Sequence, residues 1–300
     1  MHHDVVIVGG SFAGLAAAMY LARARRSVGV VDTGLPRNRF ATHSHGFLTQ
    51  DGNAPGAILT TAREQVSAYP GVALIDGEAV LAQATPSGFG VTLASGERLE
   101  ASRLVLAFGI SDELPSLPGL AARWGVSVLH CPYCHGYEVA GRKLGVLWSS
   151  PMSIHQAMLI PEWGPTTVFL NGETPSDEAM ADLARRGVEI EPGPVRELAG
   201  AGRDLSAVVL ADGRRVSTDA LFIGAPTRLN SDIARQLGCA IGDGMMGPMI
   251  VVDGMQQTSV PGVFAAGDIA RGAHAVSWAV SDGAMAGVAA HRSLVFPAGH

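Results

Sequence analysis

Apolar residues in this chain fall in short unbroken runs closed by glycine turns. Val5-Val6-Ile7-Val8, Val28-Gly29-Val30-Val31, Leu104-Val105-Leu106-Ala107 and Leu144-Gly145-Val146-Leu147 show no polar alternation, the pattern of strands covered on both faces, as in parallel sheets. They read as buried strands. After the first run an alanine-rich stretch extends to about Ala24 and predicts a helix, so the chain opens strand, turn, helix, strand. The fold class expected is α/β.

Composition sharpens this picture. At 300 residues, with 47% hydrophobic and 16% charged side chains, the chain has enough apolar material for two well-buried domains. Its net charge of −6, without a Lys/Arg cluster, argues against a nucleic-acid partner. The apolar stretch Gly14 to Ala22 is broken by Arg23, Arg25 and Arg26 and is too short to cross a bilayer. No membrane partner is expected. Met1-His2-His3-Asp4 leads straight into a strand without a basic region, an apolar signal core or a cleavage site, so the expected location is the cytoplasm.

The chemistry is concentrated in Cys131-Pro132-Tyr133-Cys134-His135-Gly136-Tyr137-Glu138. Two thiols spaced by two residues can close a disulfide and pass two electrons together, or they can supply half of a zinc site. Only Cys239 remains as a third cysteine, and His130 and His135 flank the pair too closely to converge on a metal with both sulfurs. No metal is expected, and redox chemistry is. Pro132 suits the first turn of a helix, whose unpaired N–H groups stabilise a thiolate and make one sulfur nucleophilic.

The first glycine turn, Gly9-Gly10-Ser11-Phe12-Ala13-Gly14, approximates G-x-G-x-x-G with Ser11 at the middle glycine position. That pattern lets a backbone approach a pyrophosphate at a helix N-terminus, and Asp32, about twenty residues on, is placed to hold ribose hydroxyls. Without a ligand, the same residues make an ordinary strand-helix-strand unit. Two further turns follow apolar runs: Ala107-Phe108-Gly109, and Thr258 through Pro261-Gly262-Val263-Phe264-Ala265-Ala266-Gly267-Asp268. Asp268 could also cap a helix from Ile269 to Ala275.

Taken together, in this order and spacing, these motifs resemble the low-molecular-weight thioredoxin reductase-like flavoproteins over nearly the whole chain. The resemblance implies two nucleotide-binding, Rossmann-like domains of three-layer ββα type, the second inserted into the first. FAD would occupy a discontinuous domain, residues 1–115 and 246–300, and the insertion, 116–245, would carry the cysteines. Segments around Ser111 to Gly119 and Gly242 to Pro248 would be hinges. FAD would be held by Gly9, Ser11, Phe12, Ala13, Gly14, Asp32 and Gly109, by Gly267 and Asp268 at its ribityl and pyrophosphate region, and by His45, His274 and Ala275. His43 and His45 have a structural alternative as loop histidines, and Trp278 one as a core anchor. Members are usually homodimers.

The inserted domain departs from the family pattern. Where a second G-x-G-x-x-A loop is expected, the chain reads Trp148-Ser149-Ser150-Pro151-Met152-Ser153, so Trp148 and Ser150 replace glycines and Ser153 replaces the alanine. The strand Thr166 to Leu170 then leads to Asn171-Gly172-Glu173 rather than to an arginine pair. Trp148 should block backbone approach, Pro151 should remove one phosphate-binding N–H, and no cation waits for a 2′-phosphate. NADPH binding should be lost. The cysteine motif also resembles FAD-dependent dithiol oxidases that close disulfides in small natural products. By that resemblance Cys131 would form the mixed disulfide with a small dithiol, Cys134 would face the flavin, and dioxygen would be the acceptor. His135 would serve as acid/base, with Glu138 orienting it if the helix continues; Glu138 also reads as an exposed first-turn carboxylate. Two alternatives stay open. One is a reductase of thioredoxin-like proteins fed by NAD(P)H or ferredoxin; the other is a non-enzymatic flavin redox sensor. Cys239 reads as a small buried side chain, and Arg203, Arg214 and Arg215 as surface charges.

Overall fold

A computed structural model describes residues 2–150 and 152–296, and its chain divides into two compact units. Unit 1 comprises residues 1–39, 47–111 and 227–300, and unit 2 comprises 40–46 and 112–226. In unit 1, β1 (His2–Val8) is followed by α1 (Phe12–Arg23), β2 (Val28–Asp32), α2 (Pro55–Ser67), β3 (Val72–Asp76), and the strands β4 (Ala79–Thr85), β5 (Gly88–Leu93) and β6 (Arg98–Leu106). The order across the sheet is β3-β2-β1-β6-β5-β4. Strands β3, β2, β1 and β6 are parallel, and the β4–β5 hairpin joins β6 antiparallel.

The apolar runs face two ways, as expected. Val5 and Ile7 of β1 enter a core shared with α1, whereas Val6 and Val8 enter a second core shared with the β4–β5 hairpin. Leu104 and Leu106 of β6 likewise join the second core and Val105 the first. A one-residue slip would exchange every such side chain between layers, and each buried Val, Leu or Ile is worth roughly 1.5–3 kcal/mol. Register is therefore fixed by burial on both faces.

The short strand β7 (Ile110–Asp112) leads into unit 2. There β8 (Val128–Leu129), α3 (Pro132–His135), β9 (Leu144–Leu147), α4 (Met152–Leu159), β10 (Thr166–Phe169), α5 (Asp177–Arg185), β11 (Glu189–Glu191), the strands β12 (Val195–Ala199), β13 (Ala207–Leu210) and β14 (Arg215–Ser217), and β15 (Ala220–Ile223) repeat the plan. The five-stranded sheet, β11-β10-β9-β15-β8, is wholly parallel. Val146 and Val168 face the α4–α5 side, and Leu147 and Phe169 face the β12–β14 meander. Two helix-sheet-meander sandwiches result.

The chain returns to unit 1 at Thr227 rather than near residue 246. β16 (Thr227–Leu229) and α6 (Ile233–Gln236) bury Leu229, Ile233, Ala234 and Cys239 in the second core of unit 1, which draws residues 227–245 to that side. Gly242 to Pro248, expected as a hinge, instead forms the hairpin of β17 (Ile241–Asp243) and β18 (Pro248–Ile250). β19 (Val263–Ala265) adds to β6 in parallel, and α7 (Val276–Val295) is the last described helix. No described helix is long and apolar enough to cross a membrane.

Candidate active site

Of the residues expected to hold the cofactor, His45 falls in unit 2, and the others lie in unit 1 in loops and at helix starts that follow its strands. Gly9 has φ +110°, and a Cβ on Gly14 would collide with the Gly9 carbonyl oxygen. These two glycines let α1 start directly against the strand. Ser11 is the N-cap residue of α1 but makes no side-chain capping bond, and the first turn holds no acidic residue. The first N–H groups of a helix have no intrahelical partner, so those of Phe12, Ala13 and Gly14 suit a pyrophosphate. Asp32 accepts the Gly10 N–H at 3.1 Å on one oxygen and Arg63 Nη1 at 2.7 Å on the other. Its place beside the loop fits a ribose, although Arg63 was not foreseen.

The Gly-Asp turn adjoins the same loop. A Cβ on Gly267, which has φ +81°, would stand 3.0 Å from Ala13 Cβ. Asp268 accepts Arg37 Nη1 at 3.0 Å, and it opens a 3-10 turn, Asp268–Ala270, where its structural alternative was to cap a helix from Ile269 to Ala275. The helix starts later. Ala275 is the extended N-cap residue of α7, without a side-chain cap, and His274 Nε2 lies 3.2 Å from the Arg271 carbonyl. Gly109, with φ +69°, sits just past β6. Trp278, considered a core anchor, is 45% exposed with Arg271 over its ring at 5.2 Å. These residues fit an FAD: two open helix N-termini, a carboxylate beside the glycine loop, and two turns packed together.

The sequence reading missed Arg37, Arg63 and Asp282. Asp282 is buried in α7, paired with Arg271 Nε at 2.9 Å, and burial raises its carboxyl above the ordinary range while Arg271 and the Gly267 N–H oppose the rise. Its signal was an acid inside an otherwise apolar helical stretch.

In unit 2 the two sulfurs are joined as a Cys131–Cys134 disulfide, with Cα atoms 5.3 Å apart. Pro132 opens the single turn of α3, and Cys131 Sγ accepts the Cys134 N–H at 3.2 Å. The helix then stops: Tyr137–Val139 form a 3-10 turn, so Glu138 does not share a continuing helical face with Cys134. Glu138 instead meets His45, with Nε2 and Oε1 3.5 Å apart. His135 lies below the ordinary imidazole range, chiefly through burial, with Glu138 opposing that depression and His45 adding to it. Cys131, Cys134, His135, Glu138 and His45 thus form one group, and His45 enters it from a distant segment. His130 Nδ1 lies 3.3 Å from the Ile223 carbonyl, and its own carbonyl accepts Gln156 Nε2 at 2.8 Å. Tyr133 and Tyr137 are exposed, Tyr133 edge-on to Trp163 at 5.7 Å.

The altered loop of unit 2 is closed on itself. Ser153, fully buried, accepts the N–H groups of Ser149 at 3.0 Å and Ser150 at 3.3 Å through its hydroxyl, and donates to the Leu147 carbonyl at 3.3 Å. Ser150 Oγ donates to the Gly224 carbonyl at 2.9 Å. Trp148 packs on the helical core of the unit. Pro151 lies outside the described residues. Past β10, Asn171 Oδ1 accepts the Val195 N–H at 2.8 Å. Arg214, read as a surface charge, grips Glu191 with two bonds of 2.7 and 3.0 Å.

Residues 3–283 match the family described as pyridine nucleotide-disulphide oxidoreductase. The chain is 32% identical over 304 residues to the thioredoxin reductase tcpT of Claviceps purpurea, covering 97% of this chain and 94% of that one. Among solved structures, an oxidoreductase from Agrobacterium tumefaciens is 50% identical, with a TM-score of 0.94 over 99% of this chain and 100% of the other. HlmI is 38% identical, with a TM-score of 0.92 over 97% and 92%. The chain belongs to the pyridine nucleotide-disulphide oxidoreductase family, and is a thioredoxin reductase-like, FAD-binding oxidoreductase.

Proposed function

We propose that this protein oxidises a small dithiol to its disulfide, with dioxygen as the terminal acceptor. The observation that carries the reading is the Ser153 hydroxyl, which holds the two loop N–H groups that a second dinucleotide would need. Without NADPH as donor, the Cys131–Cys134 disulfide is the electron acceptor for a substrate. His135, kept neutral by burial, takes the proton of the first substrate thiol. The resulting thiolate bonds to Cys131 Sγ as the Cys131–Cys134 bond breaks, and its electron pair leaves on Cys134. The second substrate thiol then attacks the mixed disulfide and releases Cys131. Two electrons and two protons have passed to the protein. FAD, seated on Gly9 to Gly14, Asp32, Gly267 and Asp268, would supply the acceptor that restores the disulfide and delivers the electrons to dioxygen as hydrogen peroxide. Net, one dithiol and one dioxygen give one disulfide and one peroxide. The tcpT likeness supports thiol-disulfide chemistry.

Anaerobic titration of the yellow holoenzyme tests this. Dithiothreitol is expected to bleach the flavin and NADPH at micromolar concentration to leave it coloured; admitting air should restore the colour with one peroxide per dithiol. Bleaching by micromolar NADPH overturns the reading in favour of a reductase. Bleaching by dithiol without reoxidation in air overturns it in favour of a sensor.

A further inference from the structure

Residues 40–46 belong to unit 2 although the chain on both sides of them belongs to unit 1. One end is anchored by backbone: Arg203 Nη2 donates to the Phe40 carbonyl at 2.6 Å and to the Trp124 carbonyl at 3.0 Å. A side chain on Gly125 would run into Phe40 at 2.8 Å, so glycine there permits the close seat. The other end delivers His45 to Glu138, in the turn that follows the disulfide helix. Ser44, between them, is buried.

The result is two imidazoles and one carboxylate beside the disulfide. His135 is influenced by Glu138 and by His45, and the ring of His43 stands 6.3 Å from that of His45. One carboxylate can balance one imidazolium, and a second positive charge at this spacing is opposed. We propose that His45 is a positioning residue of the thiol-disulfide site: it takes Glu138 as its own partner and so adds to burial in leaving His135 uncharged and ready to accept a substrate thiol proton. This rests on the dithiol-oxidising reading for its catalytic consequence but not for its electrostatic one.

The sign of the effect follows. Removing His45 removes one cause of the depressed His135 value, so His135 should titrate at higher pH and be lost as a base sooner on acidification. Removing the Glu138 charge should move His135 the opposite way. The test uses the oxidised holoenzyme with carbon-13-labelled histidine. The His135 ring signal, assigned by its absence in His135→Gln, is followed against pH in the wild type, His45→Gln and Glu138→Gln. The midpoint is expected to rise in the first variant and fall in the second. In parallel, the rate of anaerobic flavin bleaching by dithiothreitol in His45→Gln should fall severalfold at acidic pH, the deficit shrinking as pH rises. An unchanged His135 midpoint in His45→Gln, or shifts of the same sign in both variants, overturns the proposal. A rate deficit equal at every pH does so as well, because a merely structural role predicts it. If His45→Gln does not fold, His45→Asn takes its place with the same expected rise of the His135 midpoint, and an unchanged or lowered midpoint there overturns the proposal. Opposite midpoint shifts without any bleaching by dithiol would leave the pairing standing and remove the oxidase reading.

Discussion

Two strand-loop-helix units of one chain treat their loop amides in opposite ways. In the first, Gly9 and Gly14 bring α1 against β1 and leave its N-terminus without a side-chain cap. In the second, a hydroxyl from the helix, Ser153, takes up the Ser149 and Ser150 N–H groups. The frames are alike and the donors left open are not. Beyond the loop the contrast continues, since Asp32 stands at the end of β2 as a carboxylate beside Gly10, whereas Asn171 past β10 is spent on the Val195 backbone. A nucleotide-binding frame can thus be kept for its packing while its donors are used internally, and a ligand would have to displace bonds worth about 0.5–1.5 kcal/mol each.

The largest effect that separates the loops is expected at Gly14. Gly14→Val would drive a branched side chain into the Gly9 carbonyl, costing several kcal/mol, on the order of 4 or more. The purified variant should carry less than about a tenth of the wild-type flavin, read from its visible absorbance. Full occupancy would show that FAD does not depend on this loop, and the contrast would fail.

Next comes reopening the second loop. The double variant Trp148→Gly, Ser153→Ala removes the bulky side chain and frees the two amides, so NADPH should bleach the flavin on the order of tenfold faster than in the wild type, still at millimolar concentration because Asn171-Gly172-Glu173 rather than an arginine pair follows β10. No gain would mean that the barrier lies elsewhere than in Trp148 and Ser153. Ser153→Ala alone strands the Leu147 carbonyl and both amides, and should lower stability by about 1–2 kcal/mol in urea unfolding. A neutral result would mean that water replaces the hydroxyl.

How far the chain could be read depends on whether a signal is local. Val5 to Val8 and Leu144 to Leu147 announced parallel strands because burial on both faces leaves no polar alternation, and Cys131-Pro132-Tyr133-Cys134 announced a helix-start dithiol because Pro132 fits its first turn. Glycine spacing carried the first loop for the same reason. What failed to show was long-range. Ser153 was visible only as a replaced alanine, not as a cap for its own loop, and nothing near His45 in sequence points to Glu138. Leu229, Ile233 and Cys239 are buried in the core of unit 1 by contacts distant in sequence, whereas the glycine-rich Gly242 to Pro248 only turns a hairpin. The packing of α7 on α1 through Gly283 and Gly287, where side chains would strike Ala13 and Ala17, shows in the sequence only as small residues four apart, which do not name their partner helix.

The smallest effect concerns Arg214 and Glu191, at the edge of the parallel sheet of unit 2. Arg214 donates two bonds to Glu191, and the Gly193 N–H donates a third at 3.1 Å. Hydrogen bonding from Arg214 is the main reason that Glu191 lies below the ordinary carboxylate range, against the opposing effect of burial. A depressed folded value means that the pairing contributes above the unfolded value of 4.5 and is lost as pH falls through the folded one. Glu191→Gln should therefore lower the melting temperature slightly at neutral pH, and the gap to wild type should close on acidification below that value. Solvent and salt screen the exposed guanidinium, so the gap should also narrow at high ionic strength. A gap that stays constant through the acid range would show that Glu191 acts through packing rather than charge.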